Sequence, residues 1–217
     1  KIITKIYFKK TFTYLKKNKI SKNWINKQKR DIFVRKAKVE GYRSRAAYKL
    51  IEINEKFKIL KNGMSLVDLG AAPGSWSQHI SKKYKNIKLL SIDLKEMEEI
   101  PNTKQILGDF NEDDSKSKIK DYFKSKIDVV LSDMAENTTG NKNLDVISTS
   151  ELCKEAMYFA KDILKENGVF VCKIFMGSTF NEIMQELKLI FKQIKVFKPS
   201  SSRKDSKESF IICRILR

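Results

Sequence analysis

The sequence predicts an α/β protein with a mostly parallel sheet covered by helices on both faces. Two patterns carry this expectation. Short apolar runs alternate with stretches of helical spacing along the whole chain, and a strand that must cross over to a parallel neighbour needs such a helix. The apolar run Met64 to Leu69 also opens directly into small residues, Gly70-Ala71-Ala72-Pro73-Gly74, and then a helix. That strand, tight turn and helix is where sheets of this class place ligands, beyond the carboxyl ends of their strands. A chain of 217 residues is long enough for one such domain with a sizeable core. We expect an N-terminal arm over residues 1–34 and a single domain over 35–217.

The elements follow in order. Ser44 is a plausible N-cap for a helix whose apolar face is Ala47, Leu50, Ile51 and later Phe57, with Arg45 and Lys49 four apart on a cationic face. A strand near 64–69 feeds a helix at 75–83, with Pro73 marking the boundary between them. Strands at 88–93 and 104–107, a helix at 115–124 and a strand at 127–132 complete the first half. A long helix near 148–166 then runs to Gly168. Beyond it come a strand at 169–175, a helix at 179–191, a strand at 193–198 and a last strand at 209–215. The loop from Pro199 to Lys207 is too short to hold a crossover helix, so the last two strands are expected to be antiparallel.

Composition narrows the partners. The net charge is +19, with 45 Lys and Arg against 26 Asp and Glu, which implies a polyanionic partner such as nucleic acid. Residues 1–30 hold eleven of those basic residues and no acid before Asp31. This basic arm reads as a solvated extension, a nucleic-acid contact or a targeting segment; an organelle, the mitochondrion first, is favoured over cytoplasm or nucleolus. Cys153, Cys172 and Cys213 form no C-x-x-C pair and sit among apolar neighbours, so neither structural zinc nor a disulfide framework is expected. No apolar run approaches the ~18 residues of a membrane span, and a soluble protein without a metal is expected.

The residues that carry chemistry fall at strand ends. Gly70 and Gly74 allow backbone to approach a ligand closely, and the G-x-x-x-G spacing, lacking a glycine at 72, suits a nucleoside better than a pyrophosphate. Asp93 lies 23 residues beyond Gly70, close to the ~20 expected of an acid that accepts from ribose hydroxyls. Asp109 is placed to accept from an adenine amino group beside Phe110, and Asp133 ends the fourth strand beside the mouth of the first. Each of these acids could also be an ordinary cap or turn residue. Lys173, inside the apolar strand Val169 to Phe175, must reach a cleft or an anion. Glu208 opens the last strand; a structural salt bridge with Lys173 is the plainer alternative.

Taken together, four segments resemble the FtsJ/RrmJ family of RNA 2′-O-ribose methyltransferases: Gly41-Tyr42-Arg43-Ser44-Arg45-Ala46-Ala47-Tyr48-Lys49-Leu50, Asp68 to Gln78, Ser132-Asp133-Met134-Ala135 and Lys173-Ile174-Phe175. They stand in the family's order and spacing over roughly residues 36–215, and Ser201-Ser202-Arg203 with Glu208 adds a fifth. The resemblance implies a Rossmann-like fold with a seven-stranded sheet and an antiparallel last strand, with S-adenosyl-L-methionine as methyl donor. It also implies a catalytic tetrad, which falls on Lys49, Asp133, Lys173 and Glu208. Cofactor contacts are expected from Asp68, Gly70, Ala71, Pro73, Gly74, Ser75, Trp76, Asp93, Leu94, Asp109, Phe110 and Asp133. Lys36, Arg43, Arg45, Lys49 and Arg203 are candidates to hold RNA, with Arg43, Arg45 and Lys49 forming a cationic lip over the donor. Two positions depart from the family pattern: Glu136 replaces its usual Pro, and Ser75 replaces the Gly of bacterial members. The substrate this implies is a uridine of large-subunit ribosomal RNA, acted on by a monomer. A tRNA anticodon loop, or a non-catalytic RNA-binding protein on the same fold, is the alternative. An oxidoreductase is disfavoured by the absent G-x-G-x-x-G, and a small-molecule methyltransferase has no use for the charge.

Overall fold

In the computed structural model, residues 31–135 and 142–217 are described. The basic arm over 1–30 and Glu136 lie outside them. The compact unit that carries the site spans Ile32–Arg217. It opens with a helix, α1 (Ile32–Val39), that sequence reading did not anticipate, and the boundary expected between residues 34 and 35 falls inside it. Then follow α2 (Ala46–Phe57), β1 (Ser65–Leu69), α3 (Ser75–Lys83), β2 (Lys88–Asp93), β3 (Thr103–Leu107), α4 (Asp113–Phe123), β4 (Ile127–Ser132), α5 (Lys142–Ile163), β5 (Leu164–Phe175), α6 (Phe180–Ile190), β6 (Phe191–Phe197) and β7 (Glu208–Leu216).

The seven strands form one sheet in the order β3-β2-β1-β4-β5-β7-β6. Neighbours from β3 to β5 pair in parallel, and β7 lies antiparallel to both β5 and β6, as the short Pro199–Lys207 connection requires. Side chains alternate between the two faces, so each central strand feeds two cores. Leu66, Leu89, Val129, Leu131, Val171 and Phe210 pack under α2 and α3 with Leu50, Ile53, Trp76 and Ile80. Val67, Leu90, Ile92, Val130, Phe170 and Cys172 pack under α4, α5 and α6 with Ile119, Met157, Ile183 and Leu187. Burial on both faces is why the strands read as near-continuous apolar runs.

Two expectations are corrected. The long helix begins at Lys142 and ends at Ile163, where 148–166 was expected, and β5 starts at once with Leu164. Leu164 pairs with Ile127 and is buried, while the strand bulges through exposed Lys165, Glu166 and Asn167 before Val169 pairs with Val129. A Cβ at Gly168 would stand 2.9 Å from Leu164 Cδ2 and from the Lys165 carbonyl oxygen, so the glycine serves this bulge and not a helix end. The three cysteines, far apart in sequence, meet in the lower core. Contact with the Cys172 thiol, together with burial, pushes the Cys153 thiol well up, and burial does the same for Cys213; thiols in that state are unreactive. Among the described residues no helix is long and apolar enough to cross a membrane.

Candidate active site

The site forms at the carboxyl ends of β1, β2, β4 and β5. The pleat explains its position: Lys173 lies two residues beyond Val171 and shares its face, the face that α2 covers. Lys49 reaches down from α2. Asp133 follows the last residue of β4, Ser132, which pairs with Leu69 on one side and Cys172 on the other. Glu208 enters from the antiparallel strand, opposite Phe175. Four residues spread over 160 positions of chain therefore converge.

Lys49 Nζ lies 2.8 Å from Glu208 Oε2 and 3.5 Å from Asp133 Oδ2. Lys173 Nζ lies 3.1 Å from Asp133 Oδ1 and donates to the Asp133 carbonyl oxygen at 2.5 Å. The plainer alternative of a Lys173–Glu208 bridge is not what forms, since the Glu208 carboxylate goes to Lys49 and receives the Ser202 hydroxyl at 2.7 Å. Burial would lower the Lys49 pKa, but Asp133 and Glu208 outweigh it and raise the value, so Lys49 is a fixed cation. Burial would likewise raise Asp133. Lys173 and Lys49 overcome that and hold its carboxyl below the usual range.

Beside the tetrad opens a cleft of about 520 Å³ lined by Gly70, Asp93, Leu94, Lys95, Asp109, Phe110, Asp133, Met134 and Leu152, among others. A smaller recess of about 40 Å³ continues past Asp68, Ala71, Pro73, Ser75 and Trp76 to Asp133. The expected cofactor residues thus gather around two joined spaces, with Gly74 apart from both. A Cβ at Gly74 would meet Arg43 Nη1 and Ile100 Cδ1 at 2.8 Å, so protein and not ligand crowds this glycine, and its φ of +96° excludes other residues independently. At Gly70, with φ +69°, the added Cβ would fall 2.4 Å from Met134 Cγ.

Several acids also do structural work. Asp93 Oδ2 accepts the Ala72 amide at 2.9 Å and Oδ1 the Lys95 amide at 2.9 Å, which ties the glycine turn to the end of β2. Each oxygen keeps a lone pair for the cleft. Asp109 Oδ1 accepts the Asn111 amide at 2.8 Å, and the Phe110 ring is mostly buried against Phe159. Asp68 is fully buried beneath the turn, where it accepts the Ser77 hydroxyl at 2.7 Å. Burial pushes its carboxyl up to about 7 despite that hydrogen bond. Ser75 bonds the Ser44 hydroxyl at 2.7 Å, and Trp76 donates to the Ala46 carbonyl at 2.8 Å, so both fasten α3 to α2.

The cationic lip is tied into the fold. Arg43 turns inward: Nη1 donates to the carbonyls of Pro73 at 3.1 Å and Glu98 at 2.9 Å, and Nη2 to that of Glu99 at 2.9 Å. Its planar fork clamps the glycine turn to the segment after β2 with three of its five donors. Arg45 donates to the Ser201 carbonyl and lies over the Phe33 ring; burial first, then neighbouring Arg203, lowers its pKa. Both long stems end on backbone carbonyls that are distant in sequence, which no periodicity reveals. Lys36 stays exposed, 3.7 Å from Glu40 and over the Tyr48 ring. Sequence reasoning missed Lys95, Met134 and Leu152 in the cleft wall. It also missed Ser202 as a donor to Glu208, although the Ser-Ser-Arg segment had been singled out.

A profile of FtsJ-like methyltransferases matches residues 42–216, which takes in every member of the tetrad and every wall of the cleft. The chain belongs to the FtsJ-like methyltransferase family. Relatives in this family include ribosomal RNA large subunit methyltransferase E of Pelagibacter ubique, 66% identical over 203 residues that span 94% of this chain and 100% of the relative. The protein of the same name from Rickettsia bellii is 47% identical over 211 residues, 94% of this chain and 93% of its own. Among solved structures, a Plasmodium falciparum chain provisionally described as a ribosomal RNA methyltransferase superposes with a TM-score of 0.72 at 35% identity, covering 81% of this chain and 98% of that one. Human methyltransferase-like protein 13, solved in complex with SAH, shares only the fold, at 13% identity and a TM-score of 0.57 over 78% of this chain and 79% of its own. An FtsJ-like chain with this cleft is a methyltransferase.

Proposed function

We propose that this protein transfers a methyl group from S-adenosyl-L-methionine to the ribose 2′-hydroxyl of a uridine in large-subunit ribosomal RNA. The observation that carries the reading is the closed charge cluster of Lys49, Asp133, Lys173 and Glu208 at the mouth of a cleft of nucleoside size. The cleft suits the donor: its volume lies within the range of small-molecule sites, Asp93 and Asp109 offer acceptors at its rim, and Phe110, Leu152 and Met134 give it an apolar wall. When bound, the donor supplies an electrophilic methyl on a sulfonium.

The chain's own residues do the rest. Asp93 would accept from ribose hydroxyls and Asp109 from the adenine amino group, while Asp133, with its carboxylate kept ionised, would hold the methionine ammonium. Lys173 donates to the Asp133 carbonyl oxygen and lies 3.1 Å from its Oδ1. As a cation it would steer the 2′-oxygen lone pair and stabilise negative charge developing at that atom, with the hydroxyl proton passing to water; as a neutral amine it would take that proton itself. Lys49, held by Glu208, is a fixed cation beside it. One chain builds the tetrad and the cleft, which supports action as a monomer. The names carried by the two bacterial relatives favour ribosomal RNA over the tRNA alternative.

The test is tritiated methyl transfer to unmodified large ribosomal subunits, free ribosomal RNA and bulk tRNA, followed by mapping of the 2′-O-methyl nucleotide. Label at one uridine of the large subunit is expected. Label in an anticodon loop would replace the ribosomal substrate, and cofactor and RNA binding without transfer would replace the catalytic reading.

A further inference from the structure

One face of α2 is joined to the Pro199–Lys207 loop and to the start of β7. Arg45, Lys49 and Glu52 are spaced four and three residues apart and so point the same way. Arg45 donates to the Ser201 carbonyl. Glu52 takes three hydrogen bonds: the Ser200 amide at 2.6 Å and hydroxyl at 2.8 Å on Oε2, and the Ser201 amide at 2.9 Å on Oε1. Lys49, between them, meets Glu208. The loop is thus gripped by both flanks of the helix that carries one catalytic lysine.

The loop passes this grip on to Glu208. Ser202, one residue beyond the clamped pair, has its amide on the Pro199 carbonyl at 3.0 Å and gives its hydroxyl to Glu208 Oε1 at 2.7 Å. The opposite oxygen, Oε2, receives Lys49. Ser202 is buried and the Glu208 side chain is only 12% exposed, so water does not compete freely for either oxygen. A carboxylate held at both oxygens has one orientation, and a displacement of about 1 Å in such a group can cost on the order of 10²-fold in rate. Without Ser202, Glu208 would turn about its terminal bond, and Lys49 would fall back on Asp133 at 3.5 Å, altering the partner that Lys173 shares.

We propose that Ser202 and Glu52 are positioning residues for methyl transfer: Glu52 fixes the 200–202 turn, and Ser202 orients the Glu208 carboxylate toward Lys49. Neither touches the donor or the reacting ribose. The inference rests on the proposed methyl transfer and deepens it. It also gives a role to the Ser-Ser segment in the loop before β7, with Ser202 six residues before Glu208.

The experiment is single-turnover methyl transfer by the full chain and its Ser202→Ala, Ser202→Thr and Glu52→Gln variants, with cofactor affinity and thermal unfolding measured alongside. Gln at 52 keeps one acceptor oxygen where three donors converge. Ser202→Ala is expected to slow transfer roughly tenfold, the scale of one hydrogen bond to a charged group, with cofactor affinity and RNA KM unchanged. Ser202→Thr, which keeps the hydroxyl, should restore most of the rate, and Glu52→Gln should show the same split between kcat and KM. The proposal is overturned if Ser202→Ala transfers methyl at the rate of the unaltered chain, or if losses in both variants follow melting temperature and Thr gives no rescue. If the unaltered chain itself transfers no methyl to RNA, it is the enzymatic reading that fails, and the variants are then irrelevant to it.

Discussion

Replacing Lys173 with Met separates its part in the packing from its part in the chemistry, because Met keeps most of the length of the side chain and removes only the terminal nitrogen. In the fold, Lys173 is 6% exposed, with Nζ 3.1 Å from Asp133 Oδ1 and 2.5 Å from the Asp133 carbonyl oxygen. Removing one member of a buried pair costs ~3–5 kcal/mol when its partner is left alone. Asp133 is not left alone, since Lys49 stays 3.5 Å away, so we expect about half of that, roughly 2 kcal/mol. For a domain of this size that is a fall in Tm of about 4–8 °C. The chemical loss should be far larger, on the order of 10²–10⁴ in the single-turnover rate, the usual worth of a positioned proton-handling or charge-stabilising group. The assay is tritiated methyl transfer at a temperature where calorimetry shows the variant folded, with cofactor affinity measured by titration. A stable Lys173→Met protein that binds cofactor normally and transfers methyl within about tenfold of the unaltered rate would refute both roles, orienting cation and base.

Three further outcomes follow from the geometry. Arg43→Ala removes three hydrogen bonds to the carbonyls of Pro73, Glu98 and Glu99, so it should weaken cofactor binding by about 1–2 kcal/mol while leaving the salt dependence of RNA binding unchanged; a slope smaller by about one would return this arginine to a phosphate. Asp68→Asn tests linkage: folded Asp68 keeps its proton to about 7, whereas the unfolded chain loses it near ~3.9, so this group makes stability fall as pH rises between those values. Asn should flatten that limb in a urea-unfolding series, yet leave the loss at lower pH, where Asp133, with its lowered pKa, gives up the stability it supplies above ~3.9. Gly70→Ala forces a Cβ to within 2.4 Å of Met134 Cγ at a φ of +69°, and a loss of about 1–3 kcal/mol together with weaker cofactor binding is expected by calorimetry and titration.

The periodicities and punctuation of the chain were enough for its architecture, because a sheet buried on both faces writes its strands as apolar runs and each crossover as a helix. The strands at 88–93 and 127–132 and the helix at 75–83 are legible to the residue for this reason. The short Pro199–Lys207 loop determined the antiparallel β7 by length alone. The family resemblance named Lys49, Asp133, Lys173 and Glu208, and the fold brings the four together. What spacing does not encode is which acceptor a long cation reaches. Arg43 and Arg45 read as a lip, and only the folded positions of the Pro73, Glu98, Glu99 and Ser201 carbonyls turned them into clamps. The bulge that carries β5 back to Leu164 is likewise a matter of pairing with Ile127, a partner 37 residues away. The same holds for Glu208, which sequence could pair with either lysine: its bond to Lys49 depends on α2 lying across β7, a distance in space that no local pattern records.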